Sequence, residues 1–278
     1  MAGISKTDRL ELYGYRLDRI LGRGGTGTVY RGIHPETGEV RALKLFFDNF
    51  FRDRWHERDL AKSAQLFKKF SHPNVVRIYD YLTGKHGSCL VQEYVDGPDL
   101  KFYLEKRPWN LRERLVIVAQ ICNALQYIHD QGFTHHDLKP ANILFTRKGQ
   151  VKLTDYSLCR GRLLPFLDSG LTEQITPMYV APELIEKKDA TPRSDIYSLG
   201  VTLYLMFTCK VPYEVDSLQK LYFCHLRVNP LHPTDVNRKC PRDLGDVIMR
   251  MMEKDPAKRY ENCYELGIVL SGVGKSRI

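Results

Sequence analysis

The chain of 278 residues is 43% apolar and 27% charged, so it can build a buried core and is neither an intrinsically disordered nor a collagen-like protein. Its 42 lysines and arginines outnumber its 33 aspartates and glutamates, which gives a formal net charge of +9 at pH 7. Basic side chains alternate with acidic ones, as in residues 52–62, a pattern typical of a solvated surface and not of a dedicated nucleic-acid site.

Cysteine usage and hydropathy indicate the compartment. The seven cysteines are odd in number and widely spaced, which predicts reduced thiols in a reducing compartment such as the cytoplasm. The longest apolar run, residues 199–209, is about half as long as the roughly 20 residues of a membrane-spanning helix. The charged N-terminus lacks the apolar core of a secretion signal. We expect no membrane contact from this segment, and whether it belongs to a longer protein is left open.

The first 95 residues alternate strand patterns with turn signals around one helical pattern, which predicts a small sheet-rich lobe. Strands are predicted over 15–21, 28–33, 40–45, 75–81 and 88–94, with turns at 22–27 and 34–38. A helix is predicted over 54–70, where Leu60, Ala64 and Phe67 recur at helical spacing. The breaker at residues 96–98 places a domain boundary near residue 95.

The turn at 22–27 contains a G-x-G-x-x-G-x-V pattern formed by Gly22, Gly24, Gly27 and Val29. Such a string occurs in ordinary hairpins and also in dinucleotide-binding loops, which open a helix. Here the residues after Gly27 continue as a strand pattern. This favours a β-turn-β flap whose backbone N–H groups can approach phosphates.

The third predicted strand places Val40, Ala42 and Lys44 on one face, because side chains alternate along a strand. A small side chain next to a cation suits an adenine ring over Ala42 and phosphates at Lys44. A surface lysine on an amphipathic strand is the alternative for this segment taken alone.

Beyond residue 98 the sequence changes to amphipathic helical patterns. Helices are predicted over 111–129, 195–208, 243–254 and 264–273, and Gly132 is expected to stop the first of them. A hairpin with a four-residue turn is predicted at 147–150, and its register sets Asn142 opposite Asp155. Their oxygen atoms would then meet at the open end of the hairpin, where they suit Mg²⁺.

Two further residues precede this hairpin within H-H-D-L-K-P-A-N at 135–142. Asp137 can take a proton from an incoming hydroxyl, and Lys139 can neutralise a transferring phosphoryl group. The alternative, in which Asn142 and Asp155 only cap an ordinary hairpin, does not account for Asp137 and Lys139.

Taken in order, these stretches resemble the protein kinase superfamily over residues 15–273. The motifs are the Gly-rich loop at 22–29, R-A-L-K ending at Lys44, H-H-D-L-K-P-A-N at 135–142, D-Y-S at 155–157, T-P-M-Y-V-A-P-E at 176–183, S-D-I-Y-S-L-G at 194–200 and Arg259 in D-P-A-K-R-Y. The resemblance implies an α+β, bilobal fold. A small antiparallel sheet lobe with one main helix would occupy 14–95 and a larger, mostly helical lobe 96–273, between an N-terminal extension (1–13) and a C-terminal tail (274–278).

The resemblance also implies a Ser/Thr protein kinase that transfers the γ-phosphate of ATP to a protein hydroxyl. Asp137 would orient and deprotonate the hydroxyl, while Lys44 and Lys139 would stabilise the phosphoryl charge. Asn142 and Asp155 would bind Mg²⁺ or Mn²⁺. The implied nucleotide-binding residues are Gly22, Gly24, Gly27, Val29, Ala42, Lys44, Gln92, Glu93, Val95 and Leu144.

Other positions match structural roles of the family. Lys139 and Thr176 are similar to the Ser/Thr branch. Glu183 would pair with Arg259 beneath the substrate-binding segment, and Asp195 would brace the catalytic loop. The implied partners are ATP and a protein with a Ser or Thr acceptor, with no specific nucleic acid; the oligomeric state is left open.

The first departure from the family pattern lies in the predicted helix over 54–70. The family glutamate that pairs with the strand lysine falls on Ser63, which cannot form an ion pair. We hypothesise that Asp59, or Glu57 after a helix shift, replaces part of its function. The alternative is that both carboxylates only solvate the helix.

Two more departures lie near the catalytic residues. His136 replaces an arginine and is mostly neutral near pH 7, which disfavours docking of a phosphorylated loop residue there. Ser169 and Thr172 are the candidate phosphosites, and Arg160 or Arg162 could receive them, although an unmodified loop is favoured. Ser157 replaces a flexible glycine, which biases that segment toward one conformation.

These departures motivate a second hypothesis, a pseudokinase that binds nucleotide and acts as a scaffold. A third, phosphotransfer to a small molecule, is disfavoured by the A-P-E and T-P-x-Y segments, which indicate a peptide-binding platform.

Overall fold

The computed structural model describes residues 11–47, 54–106, 109–156 and 177–273, with the side chains of residues 54–56 and 59 excepted. These residues separate into two compact units. The first contains the residues up to Ser71 together with Val76–Val95, and the second contains His72–Val75 together with the residues from Asp96 onward. The predicted α+β class is confirmed, with a sheet unit and a mostly helical unit.

The first unit is built on an antiparallel sheet. Its strands are β1 (Glu11–Leu12), β2 (Tyr15–Gly24), β3 (Gly27–Ile33), β4 (Val40–Phe46), β5 (Ile78–Gly84) and β6 (Gly87–Glu93). They are ordered β1-β2-β3-β4-β6-β5, and helix α1 (Arg54–Phe67) packs against β5. Side-chain alternation buries Leu43, Cys89 and Val91 together in one cluster, while α1 buries Leu60 and Phe67.

The glycine-rich turn is narrower than predicted. Strand β2 continues through Gly24, and a two-residue turn joins the pair formed by Gly24 and Gly27. A Cβ atom on Gly27 would lie 2.2 Å from the Leu45 carbonyl oxygen, so the close approach of β4 requires glycine there. The prediction that the chain continues as a strand after Gly27 is confirmed by β3.

Residues 72–75 belong to the second unit, although a strand was predicted to begin at Val75. The Asn74 side-chain NH₂ donates to the Val151 carbonyl oxygen at 2.8 Å, and the Asn74 backbone carbonyl oxygen accepts from the Leu153 N–H at 2.8 Å. Val75 forms a parallel bridge with Leu153. The predicted strand therefore starts only at Ile78, because the preceding residues satisfy backbone groups of another element.

The second unit contains eight helices among its described residues. They are α2 (Leu100–Lys106), α3 (Leu111–Asp130), α4 (Pro182–Ile185), α5 (Pro192–Thr208), α6 (Leu218–Arg227), α7 (Pro233–Val236), α8 (Arg242–Met251) and α9 (Cys263–Gly272). A short hairpin is formed by β7 (Ile143–Phe145) and β8 (Val151–Leu153). Sequence periodicity missed α2, α4, α6 and α7; α4 and α7 have four residues each, which is too few to show the pattern. Within the described ranges, none of the helices combines the length and apolarity needed to cross a membrane.

Helix ends and burial explain how this unit is organised. Helix α3 begins with a capping box in which Asn110 Oδ1 accepts from the Glu113 N–H at 2.9 Å and Glu113 Oε2 accepts from the Asn110 N–H at 2.9 Å. As predicted, the chain leaves this helix at Gly132, which has a φ of 78°. Helix α5 is buried around nearly its whole circumference, as expected for the central helix of a core.

Candidate active site

The register of the β7–β8 hairpin differs by one residue from the prediction. The N–H of residue 146 donates to the carbonyl of residue 150 at 2.9 Å, and Gly149 has a φ of 79°, so the turn has three residues. Asn142 therefore faces Thr154, whose N–H donates to the Asn142 carbonyl oxygen at 3.0 Å. The prediction that Asn142 lies opposite Asp155 was wrong, because the left-handed glycine makes an odd-numbered turn.

Three predicted catalytic-loop residues contact one another. Asn142 Nδ2 donates to the Asp137 carbonyl oxygen at 2.7 Å and to Asp137 Oδ2 at 3.0 Å. The Lys139 ammonium nitrogen lies 2.8 Å from Asp137 Oδ2. The Asp137 side chain remains 35% exposed, so its carboxylate is oriented by two neighbours and still accessible to a hydroxyl from outside.

The donor chemistry around Asn142 fits a hard cation. Because the Asn142 amide directs its NH₂ at Asp137, its oxygen Oδ1 is the atom left for a metal. Asp155 directly follows Thr154 and adopts a φ of 57°. Amide and carboxylate oxygens suit Mg²⁺ or Mn²⁺, which commonly use few protein ligands and complete their shell with water and phosphate. In the described ranges no cluster of three or more His, Cys, Asp or Glu side chains forms a cage for a metal.

Asp195, at the start of α5, braces the catalytic loop, as predicted. Its Oδ2 accepts from the His135 N–H at 2.7 Å and its Oδ1 accepts from the His136 N–H at 3.0 Å. Oδ2 also lies 2.7 Å from His129 Nε2. Burial would raise the pKa of Asp195, but the His129 hydrogen bond and the neighbouring histidines hold it below its usual value. The residue therefore stays ionised and fixes two backbone amides before Asp137.

The two histidines of the loop are held neutral. Burial lowers the pKa of His135, against the opposing charges of Asp195, Asp137 and Asp155. Burial also lowers the pKa of His136, whose Nε2 lies 2.6 Å from Thr134 Oγ1. The expectation that His136 is mostly neutral near pH 7 is strengthened by this environment.

The predicted pair of Glu183 and Arg259 is confirmed and is almost completely buried. Two parallel contacts of 2.7 and 2.8 Å join the guanidinium to the carboxylate. Ser194 Oγ donates to Glu183 Oε1 at 2.6 Å. Burial would raise the pKa of Glu183, but Arg259 and Ser194 hold it below its usual value. This pair joins the segment ending in A-P-E to the turn that precedes α9.

The first unit gathers several predicted nucleotide-binding residues on one sheet face. Ala42 lies opposite Gln92, and Lys44 lies opposite Val29 and Leu90 in neighbouring strands. The predicted alternation along β4 is thereby confirmed, and the Lys44 side chain is 8% exposed.

The other predicted nucleotide-binding residues lie near the ends of β2 and β6 or in β7. A Cβ atom on Gly22 or Gly24 would meet nothing within 4 Å, so the backbone there is open to approach. The Glu93 N–H donates to the Arg77 carbonyl at 2.8 Å at the end of β6, and Val95 follows outside the strand. Leu144 lies in β7 of the second unit and is half-buried.

Glu57, a candidate substitute for the missing helix glutamate, is hydrogen-bonded to β6. Ser88 Oγ donates to Glu57 Oε1 at 2.6 Å. Ser88 lies two residues from Leu90, the partner of Lys44, so the Glu57 carboxylate reaches the same sheet face as Lys44. Ser63 is buried, and the Asp59 side chain lies outside what the structure describes. The substitution hypothesis remains a prediction.

Several sequence predictions fall outside the described residues. They concern Ser157, Arg160, Arg162, Ser169, Thr172 and Thr176. Conversely, sequence reasoning missed His129 and Thr134, which contact Asp195 and His136. Thr134 adjoins the motif, whereas no sequence signal links His129 to a residue 66 positions away.

Comparison with known proteins identifies the family. The protein kinase domain model matches residues 15–265. The serine/threonine-protein kinase PkaA of Streptomyces coelicolor is 34% identical over 278 residues, covering 94% of this chain and 50% of the relative. A probable serine/threonine-protein kinase of Clostridium perfringens is 32% identical over 253 residues, covering 91% of this chain and 37% of the relative. The chain thus spans between about a third and a half of the length of these relatives.

A solved structure shows the same fold. The crystal structure of the Mycobacterium tuberculosis PknI kinase domain superposes with a TM-score of 0.76 at 25% identity, covering 96% of this chain and 99% of that one. The family model, the relatives and the fold agree with the ordered motifs. The chain therefore belongs to the protein kinase family, as a serine/threonine kinase domain of the Hanks type.

Proposed function

We propose that the chain is a catalytically active kinase that transfers the γ-phosphate of ATP to a Ser or Thr hydroxyl of a protein. The observation that carries this proposal is the contact set of the catalytic loop, in which Asn142 and Lys139 both orient the accessible Asp137 carboxylate. A loop that had lost its chemistry would have no need to hold that carboxylate between an amide and a cation.

The residues suit in-line phosphoryl transfer. The substrate hydroxyl oxygen forms a bond to the γ-phosphorus while the bond to the bridging oxygen of ADP breaks, and the hydroxyl proton passes to Asp137. Lys139 neutralises charge on the transferring group. Asn142 and Asp155 would hold Mg²⁺ or Mn²⁺, which neutralises phosphate charge when bound.

The first unit supplies the proposed nucleotide contacts. Lys44 would bind the phosphates and Ala42 the adenine ring, with the open backbone at Gly22 and Gly24 approaching the phosphates. Gln92, Glu93 and Val95 would edge the adenine site. Gly27, Val29 and Leu144 complete the proposed set.

One observation favours the second candidate, a nucleotide-binding scaffold without phosphotransfer. Ser63 occupies the position of the family glutamate, and the nearby Glu57 carboxylate is engaged by Ser88. A scaffold would keep nucleotide binding and lose phosphotransfer, so the two candidates differ in a measurable way.

The deciding experiment incubates the 278-residue protein with Mg²⁺, γ-labelled ATP and a generic basic protein substrate. Asp137→Asn is expected to lower the rate about 10²- to 10⁴-fold while nucleotide affinity is retained. Asp189→Asn, an exposed aspartate of the same unit, is the matched control and should behave as wild type. Nucleotide binding without label transfer by wild type would establish the scaffold instead.

We also propose a cytoplasmic location and contact with a protein substrate. The cysteines of the described residues are all free thiols, as expected in a reducing compartment.

A further inference from the structure

Two arginines face each other on the sheet face that carries the predicted nucleotide-binding residues. The strand register places Arg31 of β3 opposite Ala42 of β4, and Arg19 of β2 opposite Arg31. Cross-strand partners share a face, so both arginine side chains leave the sheet on the side to which Ala42 and Lys44 belong. Like charges directly opposite each other weaken a strand pair. Strand pairing alone therefore does not explain why two arginines occupy these positions.

A β-bulge supplies a compensating charge. Leu17 lies opposite Gly32 and Arg19 lies opposite Arg31, so Asp18 has no partner in β3. A bulge re-aims the extra side chain. The Asp18 carboxylate forms an ion pair with the Arg31 guanidinium group. The Arg31 side chain is only 22% exposed, so it is held against the sheet and does not extend into solvent.

Tyr94, which directly follows β6, contacts both arginines. The Arg31 guanidinium carbon lies 5.3 Å from the centre of the Tyr94 ring, within the range of a cation–π contact. Arg19 Nη2 donates to the Tyr94 hydroxyl at 3.0 Å. Asp18, Arg19, Arg31 and Tyr94 form the Tyr94 cluster, which joins the β2–β3 hairpin to the segment after β6.

The two parts joined by the Tyr94 cluster differ in how firmly they are held. The Glu93 N–H donates to the Arg77 carbonyl oxygen at 2.8 Å, and Glu93 Oε2 accepts from the Arg77 N–H at 3.1 Å, so the backbone before Tyr94 is fixed. In the hairpin, by contrast, residues 18–25 are all exposed. A hairpin with so little buried surface opens at low free-energy cost unless other contacts hold it.

We propose that the Tyr94 cluster positions the β2–β3 hairpin over the adenine site, with Arg31 as the main positioning residue. This inference rests on the nucleotide site proposed at Ala42 and Lys44. Nucleotide binds only to molecules whose hairpin is in place, so the observed Kd equals the intrinsic Kd divided by the fraction of such molecules. Arg31 raises this fraction by binding Asp18 and Tyr94, without contacting the phosphates itself.

Arg41 provides a matched control on the other face of the same sheet. It precedes Ala42 in β4, so its side chain points away from the proposed nucleotide site. Its guanidinium carbon lies 4.0 Å from the centre of the Tyr79 ring, and its Nη2 lies 2.8 Å from Glu39 Oε2. The Arg41 side chain is 18% exposed, close to the value for Arg31. Removing Arg41 therefore costs the same kinds of contact without disturbing the Tyr94 cluster.

The experiment measures the Kd of adenosine and of ATP with Mg²⁺ by titration calorimetry on the 278-residue protein. Arg31→Met and Tyr94→Leu should raise both Kd values about fivefold. The KM for ATP should rise by a similar factor, while kcat at saturating ATP stays within about twofold of wild type. Tyr94→Phe keeps the ring under Arg31 and should raise Kd less than about twofold. Arg41→Met should leave both Kd values within about 1.5-fold of wild type, whatever its melting temperature.

The outcomes separate positioning from direct binding and from general stability. A Kd that rises for ATP but not for adenosine in Arg31→Met would show that Arg31 binds a phosphate, and this would overturn the inference. An unchanged Kd in Arg31→Met, or equal Kd changes in Arg31→Met and Arg41→Met that follow their melting temperatures, would also overturn it.

The same measurements distinguish this inference from the proposed function. Failure of the Arg31 prediction in a wild-type protein that transfers phosphate would overturn only the inference. Wild-type protein that binds nucleotide with the expected dependence on Arg31 but transfers no phosphate would overturn the proposed function and support the inference. Wild-type protein that binds neither adenosine nor ATP would overturn both.

Discussion

The two units hold their functional residues by different means. In the second unit, Asp195 fixes the backbone of His135 and His136 from 60 and 59 positions away, and Arg259 fixes Glu183 from 76 positions away. In the first unit, Ala42 and Lys44 are placed by the pairing of adjacent strands. The catalytic loop thus depends on a few buried charges, whereas the proposed nucleotide-binding face depends on many equivalent backbone hydrogen bonds.

This difference indicates which substitutions should destabilise the protein most. Removing one partner of a buried charged group leaves the other unpaired in a medium of low polarity, which is costly. A side-chain change in a strand leaves most of the backbone hydrogen bonds to the neighbouring strands in place, unless the new side chain collides with a neighbour. Single polar substitutions should therefore harm the second unit more than the first.

The largest effect is expected for Asp195→Ala. The change leaves two backbone N–H groups and His129 without their acceptor, so we expect the free energy of unfolding to fall by about 3–5 kcal/mol and kcat to fall at least about 100-fold. Urea unfolding and steady-state kinetics measure the two quantities. Asp195→Asn keeps one acceptor oxygen and should lose less of both. A folded Asp195→Ala protein with unchanged kcat would show that the catalytic loop is held by other contacts.

Breaking the pair of Glu183 and Arg259 should have the next largest effect. Arg259→Met leaves the Glu183 carboxylate buried and unpaired, and we expect a loss of about 3 kcal/mol in the free energy of unfolding. Combining it with Glu183→Gln should cost less than the sum of the two single changes, because the uncompensated charge is gone. Additive losses in urea unfolding would contradict the proposed dependence on charge pairing.

Two glycines sharpen the comparison within the first unit. Gly27→Ala should cost about 2–3 kcal/mol, because its Cβ would lie 2.2 Å from the Leu45 carbonyl oxygen. In Gly24→Ala the new Cβ atom would meet nothing within 4 Å, so the free energy of unfolding should change by less than about 0.5 kcal/mol. Thermal unfolding of the two variants, measured side by side, checks this. Equal losses would show that the hairpin turn, and not the approach of β4, requires glycine.

Acid should destabilise the second unit through its buried histidines. Burial and the charge of Lys254 lower the pKa of His225 from 6.5 to about 3. The unfolded chain therefore takes up a proton at His225 below about pH 6.5, whereas the folded chain does so only near pH 3. The contribution of His225 to the free energy of unfolding is fully present above pH 6.5 and is lost as the pH falls from 6.5 towards 3. By pH 5 the loss from His225 is about 2 kcal/mol.

His225→Gln removes this titration and should flatten the decline of the melting temperature between pH 7 and pH 5. His225 lies 2.8 Å from the Tyr197 hydroxyl, so the variant is expected to be less stable at pH 7, and the slope is the informative measurement. His86→Gln, which changes an exposed histidine of the first unit, is the matched control. An unchanged slope in His225→Gln would show that His225 does not determine the acid sensitivity.

Much of the site was predictable because its residues are close in sequence. Asp137, Lys139 and Asn142 lie within six residues, so a single loop brings them together whatever the packing around it. The alternation along β4 likewise follows from strand geometry alone. The capping glycine at 132 could be identified for the same reason, since its role depends only on the helix that it ends.

Errors arose where one residue's conformation or a distant partner decided the outcome. The left-handed φ of Gly149 shortened the turn and moved Asn142 from Asp155 to Thr154. Residues 72–75 do not join the predicted strand, because the buried side-chain amide of Asn74 donates to a backbone carbonyl oxygen of β8. Neither effect leaves a periodic signal in the chain.

The sequence by itself determined the family motifs, the alternating faces of the strands and the local geometry of the catalytic loop, because these depend on residues a few positions apart. Only the tertiary structure decided that Asp195 takes His129 as a further partner, that Glu57 binds Ser88, and that the Asn74 side chain binds the backbone of Val151. Such contacts depend on which side chains folding brings together and on how strongly burial favours their pairing, and spacing along the chain encodes neither.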